Sequence, residues 1–276
     1  MQLSIMEFFQ SIASPFLDTL MNLLTMLGEE TIFIIVVAYF IWNYSKKKGF
    51  AIFSALAFVD IAMGVIKALV KAPRPFQVIE EIKGKRVQTA TGYSFPSGHT
   101  TGAASFYYSL SYTFKKRIIS ILSALAIALV AISRMYLGVH WPLDVFAGLA
   151  LGIGGTALLY PIFDKIYDNK ATLISFTMIV GVISSLLAFI LVFTIEGGIS
   201  DPIGYTDVVK LLSLLGGGYI GFSLAEKSLD YKTDGTIVKK IGRFIIGLII
   251  LIAIQGLKAV LPDHMIVGFI HYFAIG

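Results

Sequence analysis

Residues 118–163 read IISILSALAIALVAISRMYLGVHWPLDVFAGLALGIGGTALLYPIF. Two apolar runs, 118–133 and 143–163, flank a short insert that holds Arg134 and His140, and Asp144 follows at the start of the second run. A membrane helix needs about 20 predominantly apolar residues to cross, and each run nears that length once it borrows its flanks. An arginine, a histidine and an aspartate at the junction of two such runs lie where a bilayer meets water. The stretch therefore reads as a helical hairpin of an all-α integral membrane protein, with its charged turn level with the lipid head groups.

The rest of the chain agrees. Of its 276 residues, 57% are hydrophobic and 14% charged, against about a quarter charged in soluble domains. There is no cysteine, which removes disulfides, thiolate chemistry and Cys-based metal sites. The net charge of +5 does not gather into a basic face. It marks loop ends, so membrane topology explains it and nucleic acid is not an expected partner. The first residues lack a basic n-region and a small-residue cleavage site, so no cleavable leader is expected there.

Further apolar runs lie at 31–45, 50–70, 98–114, 173–194, 206–225 and 241–260, and a last piece, 265–276, is too short to cross. Residues 6–27 differ. Glu7, Ser11, Ser14, Asp18, Asn22 and Thr25 recur at steps of three or four, with Phe9, Ile12, Phe16, Leu20, Leu23 and Leu27 opposite. That is one polar stripe on a helix. Such a helix either lies in the membrane interface or spans with its stripe facing protein. Gly148, Gly152 and Thr156 form a small-xxx-small row, expected to pack closely on another helix.

Basic residues fall in alternate loops: Lys46–Lys48, Lys115–Arg117, Lys165 with Lys170, and Lys227 to Arg243. The positive-inside rule makes those loops cytoplasmic. Residues 71–97, 134–142, 195–205 and the turn at 261–264 then face away from the cytoplasm.

Three blocks on that outer side carry chemistry. In the first, Lys67 ends an apolar run and Arg74 stands between Pro73 and Pro75, where the chain is extended. A guanidinium so fixed suits bidentate phosphate binding; a lysine at a helix end can also simply snorkel. In the second, Pro96-Ser97-Gly98-His99 opens the run 98–114. Serine is a good N-cap, the first-turn N–H groups make an anion site, and Gly98 allows close approach. In the third, His140 and Asp144 are four apart, which brings carboxylate and imidazole together on a helical turn. The aspartate can then hold one ring nitrogen protonated and leave the other as a nucleophile. Lys67, Arg74 and Arg134 would hold a phosphate, while one histidine attacks phosphorus and the other handles the leaving group and water. No carboxylate cluster suits a pair of divalent metals, so neither metal nor cofactor is expected.

These residues carry a resemblance. Lys67-x6-Arg74-Pro75, Pro96-Ser97-Gly98-His99 and Ser133-Arg134-x5-His140-x3-Asp144 match, without a gap, the three-part signature of the type 2 phosphatidic acid phosphatase superfamily. That family includes lipid phosphate phosphatases, bacterial undecaprenyl diphosphate and phosphatidylglycerophosphate phosphatases, glucose-6-phosphatase and vanadium haloperoxidases. The resemblance, which covers about residues 30–163, implies that His140 is the nucleophile, Asp144 its orienting partner and His99 the general acid and base. It implies a phosphate cradle of Lys67, Arg74, Ser97, Gly98 and Arg134.

The expected architecture is a six-helix phosphatase core over residues 1–165, including the N-terminal amphipathic helix. About three transmembrane helices follow in residues 166–276, with no assigned role. The implied activity is hydrolysis of a lipid phosphate or diphosphate at the extracytoplasmic face, with membrane lipids as the surroundings. Phosphotransfer from the same histidine to another lipid, or carriage of a lipid phosphate without chemistry, are the alternatives. Lys83, Lys85 and Arg86 near Gly84 read either as an attractor for anionic head groups or as a solvated turn. Oligomeric state is not readable from the sequence.

Overall fold

The computed structural model describes residues 1–229, 232–258, 260–262 and 264–276; the turn expected at 261–264 lies partly outside them. The described residues are helical, with no strand. In chain order the helices are α1 (Gln2–Ser11), α2 (Pro15–Met26), α3 (Glu30–Tyr39), α4 (Lys46–Val70), α5 (Pro75–Val78), α6 (Gly98–Phe114), α7 (Arg117–Tyr136), α8 (Pro142–Ile166), α9 (Lys170–Glu196), α10 (Pro202–Ser228), α11 (Ile237–Leu257) and α12 (Met265–Ile275). A π-helical turn, Phe40–Tyr44, follows α3.

Five stretches are long and apolar enough to cross a membrane: α4 with its continuation to Val78, α7, α8, α9 and α10. The α2–α3 pair, bent by 40°, would make a sixth if it is one span. The protein is therefore a multi-pass, all-α membrane protein. α6 is shorter, at 17 residues, or about 25 Å at 1.5 Å per residue.

The chain divides into two compact units, residues 1–33 with 58–160 and residues 34–57 with 161–276. In the first unit α6 is buried from Thr100 to Phe106. Its small residues let α8 approach. A Cβ on Gly148 would meet the Ser97 carbonyl at 2.9 Å, and one on Gly152 would meet the Thr101 carbonyl at 2.6 Å. One turn further on, Thr156 Oγ1 donates to Ser105 Oγ at 2.7 Å. The small-xxx-small row thus serves close packing, and α7 turns Ile118, Ile121, Leu122 and Leu125 outward.

The N-terminal stripe needs a correction. Residues 6–27 form two helices, because Pro15 lacks the N–H that a continuous helix would use and Ser14 instead caps α2, accepting from the Leu17 N–H at 3.3 Å. From Ser14 to Thr25 the stripe faces protein, while Glu7 and Ser11 are exposed. Tyr136 donates its hydroxyl to Asp18 at 2.7 Å, Lys85 pairs with Asp18, and Thr25 is fully buried. Phe8, Phe16 and Leu23 stay exposed on the other side.

The second unit packs α9 and α10 closely, with Val192, Ile195 and Val209 buried beneath Met265, Ile266 and Phe269 of α12. The final apolar piece is thus a partial helix rather than a crossing. Phe50 stacks on Tyr219 and Phe222, and the Tyr219 hydroxyl donates to Ser54 at 2.7 Å. Lys46 pairs with Glu226 at 2.8 Å, and Lys47 and Lys48 with Asp164 at 3.3 and 2.8 Å. These lysines, which the charge rule places in the cytoplasm, are fixed by carboxylates of two other helices, α8 and α10.

Candidate active site

All eight residues singled out in the sequence fall in the first unit: Lys67 and Arg134 near the C-terminal ends of α4 and α7, Ser97, Gly98, His99 and Asp144 at the N-terminal ends of α6 and α8, Arg74 just before α5, and His140 in the link between α7 and α8. The loop between α4 and α6 closes over them. Its fold is held by the first block: Arg74 Nε donates to the Gly92 carbonyl at 3.1 Å, its Nη2 to the Thr91 carbonyl at 2.6 Å and its Nη1 to the Val139 carbonyl at 2.9 Å. Lys67 Nζ donates to the Tyr93 carbonyl at 2.9 Å. Pro75 starts α5 directly after Arg74, and Trp141 Nε1 donates to the Pro73 carbonyl at 3.1 Å.

Arg74 also meets the third block. Its Nη1 lies 3.1 Å from His140 Nε2. A guanidinium can only donate, so Nε2 presents its lone pair and the ring proton belongs on Nδ1. Nδ1 in turn faces Asp144 Oδ2 at 3.5 Å. That is an ion-pair distance rather than a close hydrogen bond. Ser94 bridges the gap. Its hydroxyl donates to the same Asp144 oxygen at 2.5 Å and stands 3.5 Å from His140 Nδ1. The Trp141 N–H donates to that oxygen too, at 2.8 Å. Asp144 is thus aimed by two donors before it meets the imidazole. Ser94 lies two residues ahead of the second block, outside every motif read from the sequence.

The second block joins through backbone. The Ser97 N–H donates to the Asp144 carbonyl at 3.0 Å, which ties the start of α6 to the start of α8. Ser97 occupies the N-cap position of α6, but its hydroxyl does not cap. It bonds the Thr100 hydroxyl at 2.9 Å instead. The expected cap bond is absent, and by helix geometry the first-turn N–H groups lack intrahelical partners. Gly98 sits against Met63, 3.3 Å from where its Cβ would be.

Arg134 is completely buried. Its Nη1 donates to Thr25 Oγ1 of α2 at 2.9 Å. Its Nε and Nη2, and His99 Nε2, are buried with no partner among the described residues. Unpaired buried donors, above all charged ones, are costly. Lys67, Arg74 and Arg134 place three cations here, with Asp144 as the carboxylate facing them. Such an arrangement suits a doubly charged anion with several acceptor oxygens.

Charge and burial act together on His140, which lies between α7 and α8. Burial first, then the neighbouring Arg74, Arg134 and Lys67, hold its imidazole well below the ordinary histidine range. The ring is neutral at neutral pH, with its Nε2 lone pair directed at Arg74 Nη1.

Residues 48–168 match the model of the PAP2 superfamily, and residues 209–276 match that of the PAP2 superfamily phosphatase transmembrane extension. The chain belongs to the PAP2 superfamily. The family match spans every residue of the three blocks, and the second match covers α11, α12 and most of α10. An undecaprenyl-diphosphatase of Sulfolobus acidocaldarius is 34% identical over 49% of this chain and 66% of its own length. A putative undecaprenyl-diphosphatase of Escherichia coli is 35% identical over 44% of this chain and 61% of its own. The chain thus spans just under two thirds of these relatives. The crystal structure of a transmembrane PAP2 type phosphatidylglycerolphosphate phosphatase from Bacillus subtilis superposes with a TM-score of 0.51 at 25% identity, covering 59% of this chain and 84% of that one. Thr25 and the whole of α1 and α2 lie outside the superfamily match.

Proposed function

We propose that the chain is a lipid phosphatase that removes the terminal phosphate of a lipid phosphate or diphosphate monoester through a phosphohistidine on His140. The observation that carries this reading is the pairing of a neutral nucleophile with a buried anion cradle. His140 Nε2 presents its lone pair beside Arg74, and Arg134 holds two buried donors with no partner among the described residues. The site sits at helix ends, where a lipid can present its head group while its tails remain in the bilayer. The names of the relatives point to the same substrate class.

Phosphate bound between Lys67, Arg74, Ser97, the Gly98 N–H and Arg134 would have its charge neutralised as it is transferred. His140 Nε2 attacks phosphorus. The N–P bond forms as the P–O bond to the lipid breaks, and His99 delivers a proton to the departing oxygen. His140 becomes cationic, and Asp144, aimed by Ser94 and the Trp141 N–H, holds its Nδ1 proton. Water then attacks the phosphohistidine, His99 takes the water proton, and inorganic phosphate leaves. The residues supply every charge this needs without a metal or cofactor. The lysine-bearing loops are assigned to the cytoplasm and the site to the extracytoplasmic face of the cell membrane. Residues 1–165 form the phosphatase core on this reading, and 166–276 an extension.

Phosphate release by the purified protein in detergent tests this, with a prenyl diphosphate, phosphatidylglycerophosphate and phosphatidic acid as substrates. Release from at least one, abolished by His140→Ala in a folded protein, is expected. Release that survives His140→Ala would refute the mechanism. Loss of substrate with phosphate appearing on an added lipid alcohol instead of in solution would make the protein a phosphotransferase.

A further inference from the structure

Arg74 has no donor left for a ligand. A guanidinium carries five N–H groups, and all five are engaged. Nε donates to the Gly92 carbonyl at 3.1 Å, and Nη2 donates to the Thr91 and Tyr93 carbonyls at 2.6 and 3.2 Å. Nη1 donates to the Val139 carbonyl at 2.9 Å and meets His140 Nε2 at 3.1 Å. Lys67 Nζ donates to the Tyr93 carbonyl as well, at 2.9 Å. Two cations of the cradle are thus held by three successive carbonyls of the loop before α6, and Arg74 covers the lone pair of the nucleophile. Arg134 is the opposite case, with Nε and Nη2 buried and without a partner among the described residues.

Burial explains these contacts. Lys67 and Arg74 are 4% and 2% exposed, and a buried cation without acceptors is costly. The carbonyls supply acceptors, but they carry only partial charge. A phosphate oxygen pairs with the cation directly and can take a guanidinium bidentately, so it is the stronger partner. The segment that supplies the carbonyls is free to move. None of residues 87–93 is buried, and Gly92 is left-handed, with φ +63°. The ends are pinned: the Lys85 N–H donates to the Leu137 carbonyl and the Ser94 N–H to the Ala72 carbonyl, both at 2.8 Å.

We infer that residues 91–93 are a latch that holds the site shut, and that the phosphoryl oxygens of the substrate open it by replacing their carbonyls on Arg74 and Lys67. This rests on the phosphatase reading, which brings a phosphate to these cations. The phosphate meets Arg134 first, whose donors are unpaired, and then draws Arg74 and Lys67 off the loop. As Arg74 Nη1 turns to the phosphate it leaves His140 Nε2, and the lone pair is free to attack phosphorus. The nucleophile is therefore uncovered only when a phosphate is bound. Ser94 keeps its hold on Asp144 because it lies past the moving segment.

Two measurements test the latch, both with inorganic phosphate as the probe. A side chain at a left-handed position carries a penalty equivalent to about 5- to 30-fold in an equilibrium constant. Gly92→Ala should weaken the closed state by that factor. Apparent affinity scales with the fraction of protein that is competent to bind, so calorimetry should show phosphate binding tightened by about the same factor. In the wild-type protein, chymotrypsin cleavage after Tyr93, located by mass spectrometry, should become severalfold faster with phosphate, the reverse of the protection a bound ligand gives a fixed loop. That measurement needs no variant and decides the matter if Gly92→Ala does not fold. Weaker or unchanged phosphate binding in folded Gly92→Ala, or slower or unchanged cleavage at Tyr93 in the wild type, would overturn the latch and make residues 91–93 a fixed wall of the site. Phosphate-driven opening in a protein that releases no phosphate from any lipid substrate would refute the phosphatase reading and leave the latch standing.

Discussion

At the scale of single residues, the three blocks were legible because buried charge is rare in an apolar chain and needs a reason. Lys67, Arg74, Arg134, His140 and Asp144 are each at most 4% exposed. The residues that aim them were not legible. Ser94 acts on Asp144 only because the loop folds back, and Thr25 reaches Arg134 across 109 positions of sequence. The one signal for Thr25 was its place on the N-terminal polar stripe. Thr25→Val would leave Arg134 Nη1 buried without its acceptor. A hydrogen bond to a charged group is worth about 1.5–3 kcal/mol, so kcat/KM should fall about 10- to 100-fold. Thr25→Ser should restore it; failure of serine to rescue would give Thr25 a packing role. His140 yields a second expectation, in stability. Its folded pKa lies well below 6.5, so between the two values the unfolded chain binds a proton that the folded one refuses. Stability therefore falls as pH drops below about 6.5, by about 1.4 kcal/mol per pH unit for this one group. Thermal unfolding in detergent between pH 7 and 5 should show a shallower fall for His140→Gln than for the wild type. Parallel curves would show that the histidine is not held neutral.

At the scale of elements, each long apolar run became a helix, and the row Gly148, Gly152, Thr156 revealed which face of α8 packs tightly. Where the reading failed, local backbone chemistry decided. Pro15 split the expected N-terminal helix into α1 and α2, and the α2 part of the polar stripe turned toward protein. The hydroxyl of Ser97 was expected to cap α6 and bonds Thr100 instead. Close packing between α6 and α8 makes a prediction with an internal control. A Cβ on Gly152 would sit 2.5 Å from Ala104 Cβ and 2.6 Å from the Thr101 carbonyl, whereas nothing lies within 4 Å of one on Gly154. Gly152→Ala should therefore cost about 1–3 kcal/mol through overpacking and loosen the start of α6, where the site lies. Gly154→Ala should be neutral or mildly stabilising, since it removes glycine from a helix interior. Equal melting temperatures for the two variants would mean that α6 and α8 do not meet as described.

At the scale of the whole molecule, the all-α membrane character followed from composition and run length, because a bilayer leaves few ways to satisfy a backbone. Sidedness rests on the lysine pattern alone, and it can be measured. Thr91 and Lys116 are both exposed, one in the loop over the site and the other at the far end of α6. With an impermeant thiol reagent outside intact cells, Thr91→Cys should react and Lys116→Cys should not; the reverse would invert the topology. The role of His140 is the claim on which the account depends, and rapid quench with a substrate labelled in its terminal phosphate tests it most directly. A transient phosphoprotein is expected that is stable in base and lost in acid, as a phosphohistidine is, and that is absent from folded His140→Ala. Steady turnover with no such intermediate, or the same label on His140→Ala, would contradict it.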